Sequence, residues 1–135
     1  MDTNVLVSAL RSRRGASFRL LSLVDAGRFQ LVLSVPLVLE YEAVAKRLIR
    51  GGGLSVADVD AILDYLCRIA LHQRIYYLWR PTLKDPKDDM VLEVAVGSAA
   101  RYIVTHNTRD FARAGQFGVE VVTPREFLRA IKELP

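Results

Sequence analysis

The stretch from Asp85 to Phe111, DPKDDMVLEVAVGSAARYIVTHNTRDF, constrains this chain more than any other. Asp85 suits a helix N-cap, Pro86 suits the first helical position where no amide hydrogen is needed, and Asp88 falls at the third position, where an acid favours the helix dipole. Val91, Leu92, Val94 and Ala95 supply an apolar face, and the small residues from Gly97 to Ala100 end the helix. Tyr102, Ile103 and Val104 form a short apolar run, the pattern of a buried parallel strand. Its carboxyl end delivers Thr105, His106, Asn107 and Asp110. In open α/β sheets ligands sit outside the carboxyl ends of the strands, so these side chains arrive where chemistry is expected.

The rest of the chain repeats the alternation. Met1-Asp2-Thr3-Asn4 leads into Val5 to Leu10, read as a strand end running into a helix. A second helix spans about Ser17 to Ala26 and closes on Gly27. Phe29 to Leu33 reads as a strand ending at Ser34, and Pro36 opens a third helix. Gly51-Gly52-Gly53 is a loop rather than a linker. Ser55 and Asp58 cap a helix that keeps its period to about His72, followed by a strand or extended run from Ile75 to Trp79 closed by Pro81. Val119 to Val122 is the last strand, and Thr123-Pro124-Arg125-Glu126 is a capping box that launches the final helix. Strands alternating with helices predict an α/β sandwich around a mostly parallel sheet, in one domain over residues 1–135.

Charge and cysteine content narrow the function classes. The single Cys67 excludes an internal disulfide framework and fits a reducing compartment, where it serves as a small buried hydrophobe. No apolar run approaches the ~20 residues needed to span a bilayer, and no basic leader with an apolar core opens the chain, so a soluble, cytoplasmic protein is expected. The net charge of +4 permits an anionic partner. Its basic residues are bunched, with Arg11, Arg13 and Arg14 in one group and Lys46, Arg47 and Arg50 in another.

The acids fall at one pole of the expected topology: Asp2 at the first strand end, Glu40 one turn into the third helix, Asp88 and Asp89 at a helix N-terminus, and Asp110 beyond a strand end. Each has an ordinary role available as a cap or a solvated charge. Together they repel, and a cation between them relieves the repulsion. Magnesium or manganese suits an all-oxygen set and can activate a water against a phosphodiester. One cysteine with two distant histidines, His72 and His106, makes no zinc set, and neither a glycine-rich phosphate loop nor a serine nucleophile elbow is present.

Asp2-Thr3-Asn4 before an apolar helix, Ser34 with Glu40, Asp89 with Leu92 and Ala95, and Val104-Thr105-His106-Asn107 with Arg109-Asp110-Phe111 occur in an order that resembles the PIN-domain ribonucleases, and most closely their bacterial and archaeal toxin-like branch, the VapC-like proteins. The resemblance implies a three-layer α/β/α Rossmann-like fold, metal-dependent endonuclease activity on RNA, a homodimer, and a cognate antitoxin. It implies that Asp2, Glu40, Asp89 and Asp110 are the metal-site acids, with Asp88 as fallback for Asp89, and that Asn4, Thr105 and Asn107 support them. Arg11, Arg13, Arg14, Lys46 and Arg50 would then hold RNA phosphates. Members of that family carry several apolar residues ahead of the first aspartate as a central strand, whereas only Met1 stands ahead of Asp2 here, so either the sequence starts late or that strand is expected to be nearly absent. The alternative reading is a non-catalytic RNA- or protein-binding module with an incomplete metal site. A receiver-like signalling domain would want a lysine after the last strand, where this chain has Thr123-Pro124-Arg125.

Overall fold

Local capping chemistry sets several element boundaries, and long-range pairing sets the others. The structure, a computed structural model, describes residues 1–51, 53–75 and 83–134. Helix α1 (Thr3–Arg11) is followed by α2 (Ala16–Ser22), strand β1 (Val32–Leu33), α3 (Val35–Ile49), α4 (Val56–Ile69) and β2 (Leu71–His72). Then come α5 (Pro86–Gly97), β3 (Tyr102–Val104), a 3-10 run (Thr108–Phe117), β4 (Glu120–Val122) and α6 (Pro124–Ala130). Both expected capping boxes form, with Ser55 and Asp58 on α4 and Thr123 and Glu126 on α6, each pair satisfying two amides that the helix start would leave bare. Asp85 caps α5 by accepting from the Lys87 amide, and Ser34 caps α3 by accepting from the Leu37 amide.

Where boundaries moved, tertiary contacts moved them. The helix expected to reach His72 ends at Ile69, because Leu71 donates to the Leu31 carbonyl (2.9 Å) and Gln73 to that of Leu33 (2.8 Å), drawing this segment into β2. The second helix stops at Ser22 and gives way to turns, with Gly27 at a φ of 76° that favours glycine. Of the expected strand from Phe29, only Val32–Leu33 pairs. The segment after β3 forms the 3-10 run. Phe111, fully buried, interrupts its helical backbone, and Gly118, at φ 77°, closes it. Ile75 adds no strand, while the rest of the expected run to Trp79, with Pro81 and Gly52, lies outside the described residues.

All strand pairing is parallel, but among the described residues it makes two two-stranded sheets rather than one. In one, Val32 pairs with Leu71 and Leu33 with His72. In the other, Tyr102, Ile103 and Val104 pair with Glu120, Val121 and Val122. Helix α5 packs on β1, β3, α3 and the 3-10 run. It is apolar on nearly every side because it is covered on nearly every side, with Val91, Leu92, Val94 and Ala95 all buried. Tyr41, Leu33, Leu37, Ile103 and Phe111 complete the main core, each such side chain contributing about 1.5–3 kcal/mol when removed from water. A second cluster gathers under α6, where the Phe127 ring meets Phe29 and Tyr102 edge-on at 5.1 and 5.5 Å. No helix among the described residues is long and apolar enough to cross a membrane.

Candidate active site

The start of the chain is bound to the end of β3. The Asp2 amide donates to the Val104 carbonyl at 2.8 Å, so the backbone enters α1 beside the strand end instead of forming a strand end of its own. Asp2 stands at the N-cap position of α1, yet its side chain caps nothing. Its Oδ2 accepts instead from the Thr105 hydroxyl at 2.6 Å. Thr105 is fully buried, and its Oγ1 in turn accepts from the Asn107 amide (3.0 Å) and the Asn4 side chain (3.4 Å). Asn4 Oδ1 accepts from the His106 amide at 3.3 Å. Asn4, Thr105 and Asn107 are thus tied to Asp2 through one hydroxyl. His106 is held aside, its Nε2 against the Ser17 hydroxyl at 2.8 Å.

Burial raises the pKa of Asp2. The Thr105 hydrogen bond, the Met1 ammonium and the Thr3 amide oppose that rise, and the charge of Asp110 adds to it. Asp88 goes further. Burial first, then the charges of Asp2, Asp85, Asp110 and Asp89, push it up to about 7. Asp2, Asp88 and Asp110 therefore share one electrostatic neighbourhood although they come from the two ends of the chain and from α5. Asp110 is exposed, and its amide donates to the Asn107 carbonyl at 3.0 Å.

Asp89 faces the other way. Successive helical residues point about 100° apart, and the turn that sends Asp88 toward Asp2 buries Asp89 to 1 % exposure. Its Oδ1 accepts from the Leu83 amide at 3.0 Å, holding the segment that enters α5. Its Oδ2 has no hydrogen-bond partner among the described residues. Glu40 reaches the same end of α5 from α3, but its carboxylate meets Lys87 Nζ at 3.6 Å. The structure thus brings Asp2, Asp88 and Asp110 together, sets Glu40 beside them against a lysine, and turns Asp89 inward.

A cleft of about 660 Å³ is lined by Asp85, Asp88 and Asp110, though not by Asp2, with Lys84, Arg109 and Arg113. Those three cations were not picked out from the sequence. Arg109 adjoins Asp110, and that adjacency was the available signal. The cations that were picked out lie farther away. Arg11, Arg13 and Arg14 are exposed at and beyond the far end of α1, ~13 Å along the helix from Asp2 at 1.5 Å per residue. Lys46 and Arg50 are exposed near the far end of α3, with Lys46 paired to Glu42 at 2.7 Å. Glu93, buried on α5, was also passed over.

The donor chemistry suits a hard divalent ion. The ligands on offer are carboxylate oxygens, and burial first, then the neighbouring carboxylates, hold Asp88 at a pKa that a nearby cation would bring back down. Among the described residues no three acidic, histidine or cysteine side chains converge on one ion position. Magnesium is content with one or two carboxylates and several waters, so the set fits in that sparser form.

An α/β domain whose acids gather at the carboxyl end of a parallel strand belongs to the class of folds that present a catalytic or binding centre at that edge. Residues 1–109 match the family model described as the PIN domain, and the chain belongs to that family, a nuclease-type fold. The match ends one residue short of Asp110. No curated protein and no solved structure matches the chain.

Proposed function

We propose that the protein is a metal-dependent endoribonuclease in which Asp2, Asp88 and Asp110, one or two of them directly and the rest through water, hold magnesium or manganese. Asp88 takes the place first given to Asp89, because Asp88 shares the field of Asp2 and Asp110 while Asp89 is committed to the Leu83 amide. The observation that carries the reading is this crowding of carboxylates on a cleft that also presents Lys84, Arg109 and Arg113. When bound, the ion would supply an activated water and offset charge gathering on the phosphodiester. The remaining roles belong to the chain itself. Thr105 fixes the Asp2 carboxylate, and Asn4 and the Asn107 amide fix Thr105. The cleft cations hold backbone phosphates, and Arg11, Arg13, Arg14, Lys46 and Arg50 extend that path along the surface. Glu40 contributes through water once Lys87 turns to a phosphate. The three-layer arrangement, a homodimer, a cytoplasmic setting and a toxin role opposed by an antitoxin complete the proposal; the resemblance of the ordered motifs supports them.

Incubating single-stranded RNA with the protein in manganese, in EDTA, and with Asp88→Asn tests the enzyme. Cleavage that needs metal and is lost in the variant is expected. RNA left intact by the wild-type protein, yet retarded in a gel, would favour a non-catalytic RNA-binding module, the reading that the lack of a three-ligand cluster among the described residues favours. For the toxin role, induced expression should arrest bacterial growth in the wild type and not in Asp88→Asn; equal growth of both counts against it.

A further inference from the structure

Ser17 and His106 form a pair that the proposed chemistry does not use. Ser17, in the first turn of α2, is buried to 1 % exposure, and its hydroxyl meets His106 Nε2 at 2.8 Å. His106 itself is exposed. A buried hydroxyl thus holds a surface ring by its far nitrogen. The residue's backbone is fixed as well: the His106 amide donates to Asn4 Oδ1 at 3.3 Å, and its two neighbours are tied together where the Asn107 amide donates to the Thr105 hydroxyl that serves Asp2. The ring is therefore set in place relative to the Asp2 carboxylate before any ligand arrives. What remains is Nδ1, which has no partner among the described residues. It adjoins Cγ, so it stays close to the residue's own backbone and hence to Asn4 and Thr105.

We infer that His106 reads the ribose: Nδ1 hydrogen-bonds the 2′-hydroxyl of a nucleotide lying beside the acids, on the flank of Asp2 that α1 and α2 form. The inference rests on the RNA reading of this site and deepens it, giving the chain a means to tell RNA from DNA. Two features select the 2′-hydroxyl. Ser17 and the ring settle together which nitrogen carries the proton: a hydroxyl that donates to Nε2 leaves Nδ1–H as a donor, and one that accepts from Nε2–H leaves Nδ1 as an acceptor. A 2′-hydroxyl is both donor and acceptor and so fits either arrangement, whereas a phosphate oxygen fits only the first. The phosphates, moreover, have cations already. Arg13 and Arg14 stand exposed a few residues ahead of Ser17, and Lys84 and Arg109 line the cleft, which neither Ser17 nor His106 enters. The sugar between those phosphates is what His106 is placed to read.

Equilibrium binding of a short single-stranded oligouridylate and of its 2′-deoxy counterpart, measured in EDTA, tests this. Wild type is expected to prefer the ribose form, and His106→Ala to lower that preference by about threefold or more, the effect of one hydrogen bond, with little change in affinity for the deoxy form. Two further variants separate the sugar contact from the anchor. His106→Gln places its amide where Nε2 meets Ser17 and should behave as His106→Ala does; His106→Asn places its amide where Nδ1 stood and should keep more of the preference. Wild type without a ribose preference, a preference unchanged in His106→Ala, equal losses on both oligomers, or full preference in His106→Gln would each overturn the inference. Because no metal is present, the nuclease is judged separately: a chain that prefers ribose through His106 yet never cuts RNA in manganese upholds the ribose contact and overturns only the enzyme.

Discussion

The end of β3 and the first turn of α5 both hold acids, and they treat them in opposite ways. At β3 the Asp2 carboxylate has a hydroxyl donor at 2.6 Å, and that hydroxyl has two donors of its own. At α5, Asp85, Asp88 and Asp89 are packed within one turn, and Lys87 spends its charge on Glu40. The first region is a settled hydrogen-bond network that fixes a geometry. The second carries repulsion that a cation would remove. Helix-dipole and capping roles account for Asp85 and make Asp88 tolerable, but they do not explain acids from two other elements facing Asp88. A preorganised carboxylate beside a strained group of carboxylates is what a divalent ion site requires.

The largest effect that would sharpen this contrast is on catalysis. Asp88→Asn should lower RNA cleavage by about 10²-fold or more, whereas Asp89→Asn, which keeps an oxygen for the Leu83 amide, should cost less than about tenfold. Equal losses from single-turnover rates would erase the distinction between the two aspartates. Next comes the network itself. Thr105→Val leaves Asp2, Asn4 and the Asn107 amide without their shared partner and should destabilise the fold by about 2–3 kcal/mol in urea denaturation. A loss near zero would mean that the region is not as settled as its geometry indicates.

A smaller effect separates the regions by pH. Asp88 titrates at about 7 in the folded chain against 3.8 for an unperturbed aspartate. Between those values the folded chain holds more protons than the unfolded one, so Asp88 makes stability fall as pH rises. Much of the effect is screened because the group is partly exposed, leaving a loss on the order of 1 kcal/mol. The Met1 ammonium, lowered from 8.0 to about 6, acts in the opposite direction between those values. Comparing wild type with Asp88→Asn isolates the aspartate, because Met1 is common to both. Thermal melts at pH 5 and pH 8 should show the variant gaining more relative to wild type at pH 8 than at pH 5. Smallest of all, Lys87→Met removes a half-exposed ion pair and should shift stability by less than about 1 kcal/mol. A larger loss would make the Lys87–Glu40 pair part of the framework.

Much of this was legible locally. Asp85-Pro86, Ser55 with Asp58 and Thr123 with Glu126 each start a helix through bonds spanning three residues or fewer, so sequence alone places them. Tyr102 to Val104 read as a strand because an apolar triplet between polar segments has one comfortable place to go. What escaped depends on distant partners. Under the proposed function, the choice between Asp88 and Asp89 turns on how α5 rotates against β1 and β3, and no capping signal encodes that rotation. Leu71 and His72 carry a helical period, yet the edge of β1 claims them. Lys84, Arg109 and Arg113 meet only because the approach to α5 folds against the 3-10 run.

Manganese binding measured by electron paramagnetic resonance at pH 8 on wild type, Asp88→Asn and Asp89→Asn tests the central claim most directly. The account predicts a bound ion in wild type and Asp89→Asn and none in Asp88→Asn. Binding that survives in Asp88→Asn and disappears in Asp89→Asn would contradict it.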